Sequence, residues 1–584
     1  MTVVTADDGG PGLAAALRDA SPLLLSVALL MAGNGLTSTL LGVRGGLEGM
    51  APGVVGVVLA GFYLGFIVGS MVAPATIARV GHVRVFAGLA SLASGAVLVH
   101  VIQPHPVTWF VLRVISGVCI SALYVVCETW LNGAATNRSR GGLFAAYMTV
   151  VSAALLAGQF LFAVADPGGF APFVLASVLV SLAVVPVSLA SFPAPVAPEP
   201  TPVSLRTVFG VAPLGPVGAA LSGFIGAAML GAGVVYAAEA GFGRFATGAF
   251  VGAALVGGAV LQIPLGAWSD RVDRRVVIAV SASVAAAFAL VGANVATDRR
   301  LVLIALVTVA GGATFPLYSL CNAHLNDYLD HALVVGAGAR MVLVNGVGAV
   351  AGPIVGGAAV GAFGPASLFT VLAAGYLGIA LFALYRMTRR SAVPEEERAT
   401  FQPVVVGVGP IPISYEAEAE ELYPPEVHEL DVDDRRLTYR VQGRGPTVVF
   451  VDDTPGREAW ATVEPALALD GLRAVTLHVA PSDLPGDVVT AYYALLRQLD
   501  LPWATVVGLG RSTRVVARLA DEHADAVEAA VLVNPHTATI PGAVTRPVLV
   551  LDRPLPFADP EGTADDITDF VRHLPAPSSA SEPA

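Results

Sequence analysis

The sequence predicts an all-α polytopic membrane protein of twelve transmembrane helices, arranged as two parallel six-helix pseudo-repeats and followed by a soluble α/β domain. Three observations carry this reading. Apolar stretches of spanning length recur twelve times before residue 390. A charged loop between two of them has a worn copy one half-chain earlier. After residue 390 the composition turns acidic and short strand-like runs begin. Of the 584 residues 55% are hydrophobic and only 13% charged, against about a quarter charged in soluble domains. The shortfall is uneven. Residues 1–390 hold 18 Arg against 13 acids, whereas 391–584 hold 14 Arg against 31 acids. The basic residues are all Arg; no Lys occurs. An acidic tail without a basic patch argues against nucleic acid as a partner.

About 20 apolar residues cross a ~30 Å hydrocarbon core as a helix. After an N-terminal segment (1–21), spans are expected near 22–42, 53–73, 83–102, 107–131, 142–165 and 170–192. Six more follow near 211–238, 246–268, 276–296, 301–325, 338–362 and 365–386. With a first run this long and eleven behind it, a cleaved signal peptide is not expected. A Pro-rich run, Pro193 to Pro202, falls in the linker 193–210 and divides the spans six and six, because such runs form stiff extended spacers. The halves are therefore 22–192 and 211–390. The acidic segment 391–425 reads as a solvated linker, 426–574 as the α/β domain and 575–584 as a disordered tail.

The repeat is visible residue by residue. Leu123-Tyr124-x-x-Cys127-x-x-x-Leu131-Asn132 returns as Leu317-Tyr318-x-x-Cys321-x-x-x-Leu325-Asn326, an offset of 194. Ala157-Gly158 returns as Ala351-Gly352 at the same offset, and Arg79 as Arg271 at 192. Halves in the same orientation are parallel repeats. Arginine placement sets the orientation. With a cytoplasmic N-terminus, thirteen loop arginines lie inside and four (Arg44, Arg244, Arg299 and Arg300) outside. Both termini are thus expected in the cytoplasm and the protein in the cell membrane. Cys119, Cys127 and Cys321 fall within apolar spans and give no metal or disulfide spacing.

The loop Gly266-Ala267-Trp268-Ser269-Asp270-Arg271-Val272-Asp273-Arg274-Arg275, with its worn copy Ala78-Arg79-Val80-Gly81-His82-Val83-Arg84, resembles the paired loop signature of the major facilitator superfamily. The second copy has Asp273 where that family commonly has glycine; the first has lost the acid, with Ala78 in its place. The resemblance covers roughly residues 20–390. It implies alternating access around a central cavity lined mainly by spans one, four, seven and ten. It also implies a gate at the loop, with Gly266, Asp270, Arg271, Arg274, Arg275 and Arg79 as its residues. A topogenic turn held inside by its arginines is the alternative.

The cavity candidates follow from polar residues at helical spacing. Arg113, Gly117, Ser121, Tyr124, Glu128 and Asn132 share one face of span four. Tyr318 and Asn322 share one in span ten, and Asn34 and Ser38 one in span one. A charge in lipid costs ~2.5–3.5 kcal/mol on insertion scales, so Arg113 and Glu128 must face protein or water. They stand about 22 Å apart along one helix at 1.5 Å per residue and cannot pair. Glu128 is the candidate proton-coupling carboxylate and Arg113 the candidate substrate or relay group, against an interfacial role for Glu128. Asn322, His324 and Asp327 read as a hydrogen-bonded cluster at the end of span ten. Glycine rows Gly61, Gly65, Gly69 and Gly348, Gly352, Gly356 read as close helix contacts.

Strands are expected at 437–441, 447–451, 473–477, 504–507, 530–533 and 547–551, with helices near 487–499 and 512–523. That alternation resembles the α/β-hydrolase fold. Where that fold has G-x-S-x-G, the sequence gives Gly508-Leu509-Gly510-Arg511-Ser512, with glycine at the nucleophile. After Val448 to Val451 the H-G turn is replaced by Asp452-Asp453-Thr454-Pro455-Gly456. His573 and Asp552 lack a nucleophile to serve, so no catalytic residue is assigned. The expected activity is secondary transport of a small-molecule solute, with protons as coupling ion and lipid as surroundings, by a monomer. No cofactor, metal or nucleic acid is expected. An uncoupled facilitator or lipid translocase, and a membrane-anchored sensor or scaffold acting through the soluble domain, remain open.

Overall fold

The computed structural model describes residues 13–134, 137–189, 203–329, 331–389, 423–432, 435–452, 460, 463–480, 485–509, 512–533, 547–551 and 560–574. The Pro-rich run at 193–202, the acidic segment up to residue 422, Asp453 to Gly456, Gly510, Arg511, Asp552 and the tail from 575 lie outside them. The chain divides into two compact units, Pro11–Pro412 and a second that contains Ile413–Ala584.

Twelve helices of the first unit are long and apolar enough to cross a membrane: α1 Ala16–Leu47, α2 Pro52–Val80, α3 His82–Ile102, α4 Pro106–Leu131, α5 Gly142–Leu161, α6 Ala171–Leu189, α7 Leu214–Glu239, α8 Arg244–Arg271, α9 Arg274–Gly292, α10 Arg300–Asn326, α11 Gly336–Phe363 and α12 Ser367–Met387. Their order is the one expected. α1 overruns its apolar run at both ends. At its far end Arg44 pairs with Glu48 at 2.6 Å and donates to the Pro167 carbonyl, so its charge is spent holding the α5–α6 loop. Arg300 likewise reaches back to the Gly241 carbonyl at 3.1 Å and lies over the Phe242 ring, tying down the α7–α8 loop.

Three helices are interrupted. α6 breaks between Leu182 and Val184, and α10 between Gly312 and Thr314. The breaks fall at Ala183 and Ala313, each three residues before a proline, Pro186 and Pro316. The ring removes one N–H and collides with the carbonyl of residue i−4. Beside the break in α10 the Tyr376 hydroxyl donates to the Ala310 carbonyl and shares a 2.6 Å hydrogen bond with Thr314. α7 carries a π-helical turn at Ala228–Ala232, a distortion often found at functional sites.

The two halves meet at one end. Gly42 of α1 abuts Val234 of α7; Gly56 of α2 abuts the Pro353 carbonyl and Gly357 of α11; Gly248 of α8 abuts the Gln159 carbonyl of α5. All these positions lie toward the α1–α2 and α7–α8 loops. The buried core joining the halves takes Leu36, Leu40, Val55, Leu59, Phe162 and Phe173 from that end of the first half. The other end of the first half forms a core of its own around Leu23, Phe86, Leu131 and Tyr147. The halves are thus sealed at the face of the α1–α2 and α7–α8 loops.

The second unit is a seven-stranded sheet: β1 Glu426–Val432, β2 Arg435–Gly443, β3 Thr447–Asp452, β4 Arg473–His478, β5 Ala504–Leu509, β6 Val527–Val533 and β7 Val548–Leu551. The order is β1-β2-β4-β3-β5-β6-β7, antiparallel at the first two pairings and parallel thereafter. β1 was not anticipated, since Glu426, His428, Glu429 and Asp431 mask its alternation on an edge strand. Among the described helices are α13 Glu464–Leu469, α14 Pro485–Gln498, α15 Thr513–Glu522 and α16 Pro560–Arg572. Alternation along the central strands divides the core. Val449, Val451 and Val506 pack toward Tyr492, Leu495 and Leu519, while Val448, Phe450 and Val507 pack toward Trp460, Leu467 and Ile567. Helices therefore cover both faces, as a largely parallel sheet requires.

The seam between halves is open to a direct check. A Cβ on Gly53 would stand 4.0 Å from the Ala358 Cβ, within the ~3.5–4.5 Å that a disulfide spans. The Gly53→Cys, Ala358→Cys protein should cross-link under mild oxidation and keep its halves joined after proteolysis at a site engineered into 193–202. Separation of the halves without reductant would contradict the seam.

Candidate functional site

Behind the seam the halves enclose a cavity of about 150 Å³. Eight helices line it. The first half supplies Asn34, Gly35 and Ser38 (α1), Leu59, Phe62, Tyr63 and Phe66 (α2), Arg113 and Tyr124 (α4), and Ser152, Leu155 and Gln159 (α5). The second half supplies Gly223, Gly226, Ala227, Leu230 and Gly231 (α7), Leu255, Gly258, Ala259 and Gln262 (α8), Phe315 (α10), and Val342, Asn345, Gly346 and Ala349 (α11). Apolar rings and branched chains form the wall, and amides, hydroxyls and one guanidinium punctuate it. At ~10–15 Å³ for each water-sized site, the space holds several waters.

Arg113 is 2% exposed. Its guanidinium stacks 4.5 Å from the Phe62 ring centre and reaches Ser38 Oγ only at 3.5 Å, while Nε and Nη1 have no partner among the described residues. Tyr124 donates to Met31 Sδ at 2.8 Å. Gln159 accepts from the Thr39 hydroxyl, which ties α5 to α1. Asn345 donates to the Ala219 carbonyl at 3.0 Å, and Gln262 approaches Ser319 Oγ at 3.4 Å.

The structure gathers Asn34, Arg113 and Tyr124 at this cavity. Glu128, Tyr318 and Asn322 are not among its lining residues. Glu128 sits one turn beyond Tyr124. The Tyr147 hydroxyl of α5 stands beside it as its neighbouring hydrogen-bonding group. After the Pro316 break, α10 packs Cys321 and Leu325 against Gly218 and Gly215 of α7, and Tyr318 and Asn322 are buried. The lining is consequently not concentrated on spans one, four, seven and ten: α2, α5, α8 and α11 contribute as much, and α10 gives only Phe315. Tyr63, Gln159, Gln262 and Asn345 were not anticipated as site residues. A lone amide in an apolar span is the signal that marks the last three, because lipid does not tolerate one unpartnered.

At the opposite face lies the α8–α9 loop. Arg274, not its neighbours, is the hub. Its side chain is 1% exposed; Nε donates to Asp327 Oδ2 at 2.8 Å, and Nη1 to Ser269 Oγ at 3.0 Å and Asp270 Oδ1 at 3.3 Å. Ser269 in turn donates to the Gly266 carbonyl. Asp273 caps α9 by accepting from the Arg275 N–H at 3.0 Å and holds the Arg275 guanidinium at 2.7 Å. Burial alone would raise the Asp273 pKa; the Arg275 hydrogen bonds outweigh it and hold the carboxyl below its ordinary value. An acid at this helix-capping position explains why the chain has Asp273 where glycine was expected. Arg271 is exposed. Arg79 of the worn copy is exposed and makes no ion pair among the described residues. Asp327, just past the end of α10, pairs with Arg274, while Asn322 Oδ1 has no hydrogen-bond partner among the described residues.

Twelve apolar helices among the described residues, around a polar cavity between two halves, describe a multi-pass membrane protein. The Major Facilitator Superfamily model matches residues 217–415. An uncharacterised MFS-type transporter, YcaD, of Salmonella newport (strain SL254) is 25% identical over 305 residues, 51% of this chain and 78% of that protein. The crystal structure of the nucleoside transporter NupG superposes with a TM-score of 0.53 at 13% identity, covering 63% of this chain and 99% of that one. In its membrane unit the chain is thus similar to transporters of the Major Facilitator Superfamily. An epoxide hydrolase from an endophytic Streptomyces aligns over 19% of this chain and 37% of its own, with a TM-score of 0.17, too partial to bear on the second unit.

Removing one partner of a buried ion pair strands the other charge, at about 3–5 kcal/mol, whereas exposed substitutions stay within about 0.5 kcal/mol. Arg274→Ala should therefore lower the melting temperature of the purified protein sharply and Arg271→Ala hardly at all. Equal losses would remove Arg274 from its central place.

Proposed function

We propose that the chain is a secondary active transporter that moves a small solute across the cell membrane by alternating access, coupled to protons through Glu128. The observation that carries the reading is the polar cavity lined from both halves and lying behind a seal at the face of the α1–α2 and α7–α8 loops. Such a seal can be exchanged for one at the other end by rocking the halves about the cavity. Both termini are cytoplasmic by the arginine count, which makes the sealed face external and the described state inward-facing. Asp270, Arg271, Arg274, Arg275 and Arg79 then belong to the cytoplasmic gate, with Arg274 and Asp327 at its centre.

Glu128 suits coupling because it is intramembrane, lies one turn beyond the cavity-lining Tyr124 and has the Tyr147 hydroxyl of α5 beside it. Carboxylates so placed mark proton relays. In proteoliposomes Glu128→Gln should reduce uptake driven by a pH gradient tenfold or more while sparing solute exchange. Uptake still driven by the gradient would end the coupling role.

The second unit is read as a hydrolase-like domain without hydrolase chemistry. The sequence puts Gly510 at the nucleophile position. Ser512 is buried, accepting from the Leu509 N–H at 2.9 Å and donating to its carbonyl at 3.0 Å, so its hydroxyl closes the strand-to-helix turn. His573 bonds the Asp569 carbonyl one turn back. Ser512→Ala in the full chain should cost about 1 kcal/mol of stability, the usual worth of such a bond, with no ester hydrolysis in either protein. Hydrolysis abolished by this substitution would make the domain an enzyme.

A further inference from the structure

We infer that the cavity takes a small organic monocarboxylate with an apolar body and that Arg113 is the group that binds its carboxylate. The inference rests on the transport reading for its setting, and on four observations for its content.

Arg113 is the sole charged residue among those lining the cavity. The cavity therefore holds one positive charge with no protein counter-charge. Burying an unpaired ion is costly unless something neutralises it. Second, the guanidinium is held from behind by Phe62, and two of its three nitrogens are unpartnered among the described residues. Arginine's planar donor set matches a carboxylate, which can take two N–H groups at once.

Third, the fold does not require a charge here. At the repeat offset of 194, Arg113 corresponds to Val307 of α10, which is buried in the joint core. The equivalent place in the duplicated half is filled by an ordinary apolar side chain. Fourth, the rest of the wall fixes the size and character of the ligand. A single guanidinium neutralises a monoanion and leaves a dianion half-compensated. Phe66, Phe315 and Leu255 supply apolar surface for the remainder of the solute, while Asn34 and Gln262 offer amide contacts to any further polar group.

The test uses the purified full-length protein and a panel of benzoate, phenylacetate and hexanoate, each with its matched amide, together with phenyl phosphate. Thermal stabilisation and calorimetry are read for the native protein, Arg113→Lys and Arg113→Gln. At least one carboxylate should stabilise the native protein where its amide does not, with affinity lost at least tenfold in Arg113→Gln and partly restored in Arg113→Lys. No response to any carboxylate, equal response to acid and amide, stronger binding of phenyl phosphate, or full binding by a monodisperse Arg113→Gln protein would each overturn it. Flux in proteoliposomes separates this inference from the transport reading. Carboxylate binding without flux leaves the inference standing and removes transport; flux of a neutral solute without carboxylate binding does the reverse.

Discussion

In hydrocarbon, helices gain nothing by hiding apolar surface from one another, so their association depends on how closely their backbones can approach. Several of the tight pairings in the membrane unit are made at glycine. Gly65 and Gly117 bring α2 and α4 together against the carbonyls of Val114 and Phe62. Gly35 and Gly158 do the same for α1 and α5, Gly257 and Gly312 for α8 and α10, and Gly348 and Gly352 for α7 and α11. At each of these places a Cβ would strike a neighbouring backbone or its closest side chains, so a larger residue would force the pair apart. The cavity exists because these contacts run up the helices and then stop.

The same constraint decides where charge resides. A charged side chain must reach water, another charge or a backbone carbonyl. Arg44 and Arg300 satisfy this by capping the loops beside them, on carbonyls of Pro167 and Gly241. Their position on the arginine-poor face, which loop-charge counting treats as an exception, follows from structural duty. Arg274 is paired twice with carboxylates inside the second half. Arg113 is the departure, since its immediate surroundings are an aromatic ring and a distant hydroxyl.

Elements were legible in the sequence where the signal is local. Span lengths and the glycine rows depend on residues within a few positions of one another. Strands β2 to β7 stood out as short apolar runs, whereas β1 was hidden by its charges. The cavity was legible only in part. Asn34, Arg113 and Tyr124 fall on polar stripes, but Tyr63, Gln159, Gln262 and Asn345 each stand alone on their helix. Their shared purpose depends on which way eight helices are turned, and that is fixed by glycine contacts far away in the chain. Tyr318 and Asn322 show the converse. They lie on a convincing stripe, yet the Pro316 break and the contact of Cys321 with Gly218 accompany their burial within the second half.

The two halves are therefore duplicated in backbone and divergent in chemistry. Tyr124 lines the cavity while its counterpart Tyr318 is buried in the core. Glu128 corresponds to Asn322 and Arg113 to Val307 at the same offset, so both ionisable groups of α4 lack an equivalent in α10. At the loops the asymmetry reverses: Arg274 and Asp327 are joined in the second half, while Arg79 stands exposed in the first. A symmetric pair of half-sites would place like charges opposite one another across a cavity of about 150 Å³, where repulsion is poorly screened. Divergence removes that conflict. One half carries the charge facing the cavity, the other carries the charge network at the loop, and neutral residues, Val307 and Asn322, fill the positions of Arg113 and Glu128 in the packing of the second half.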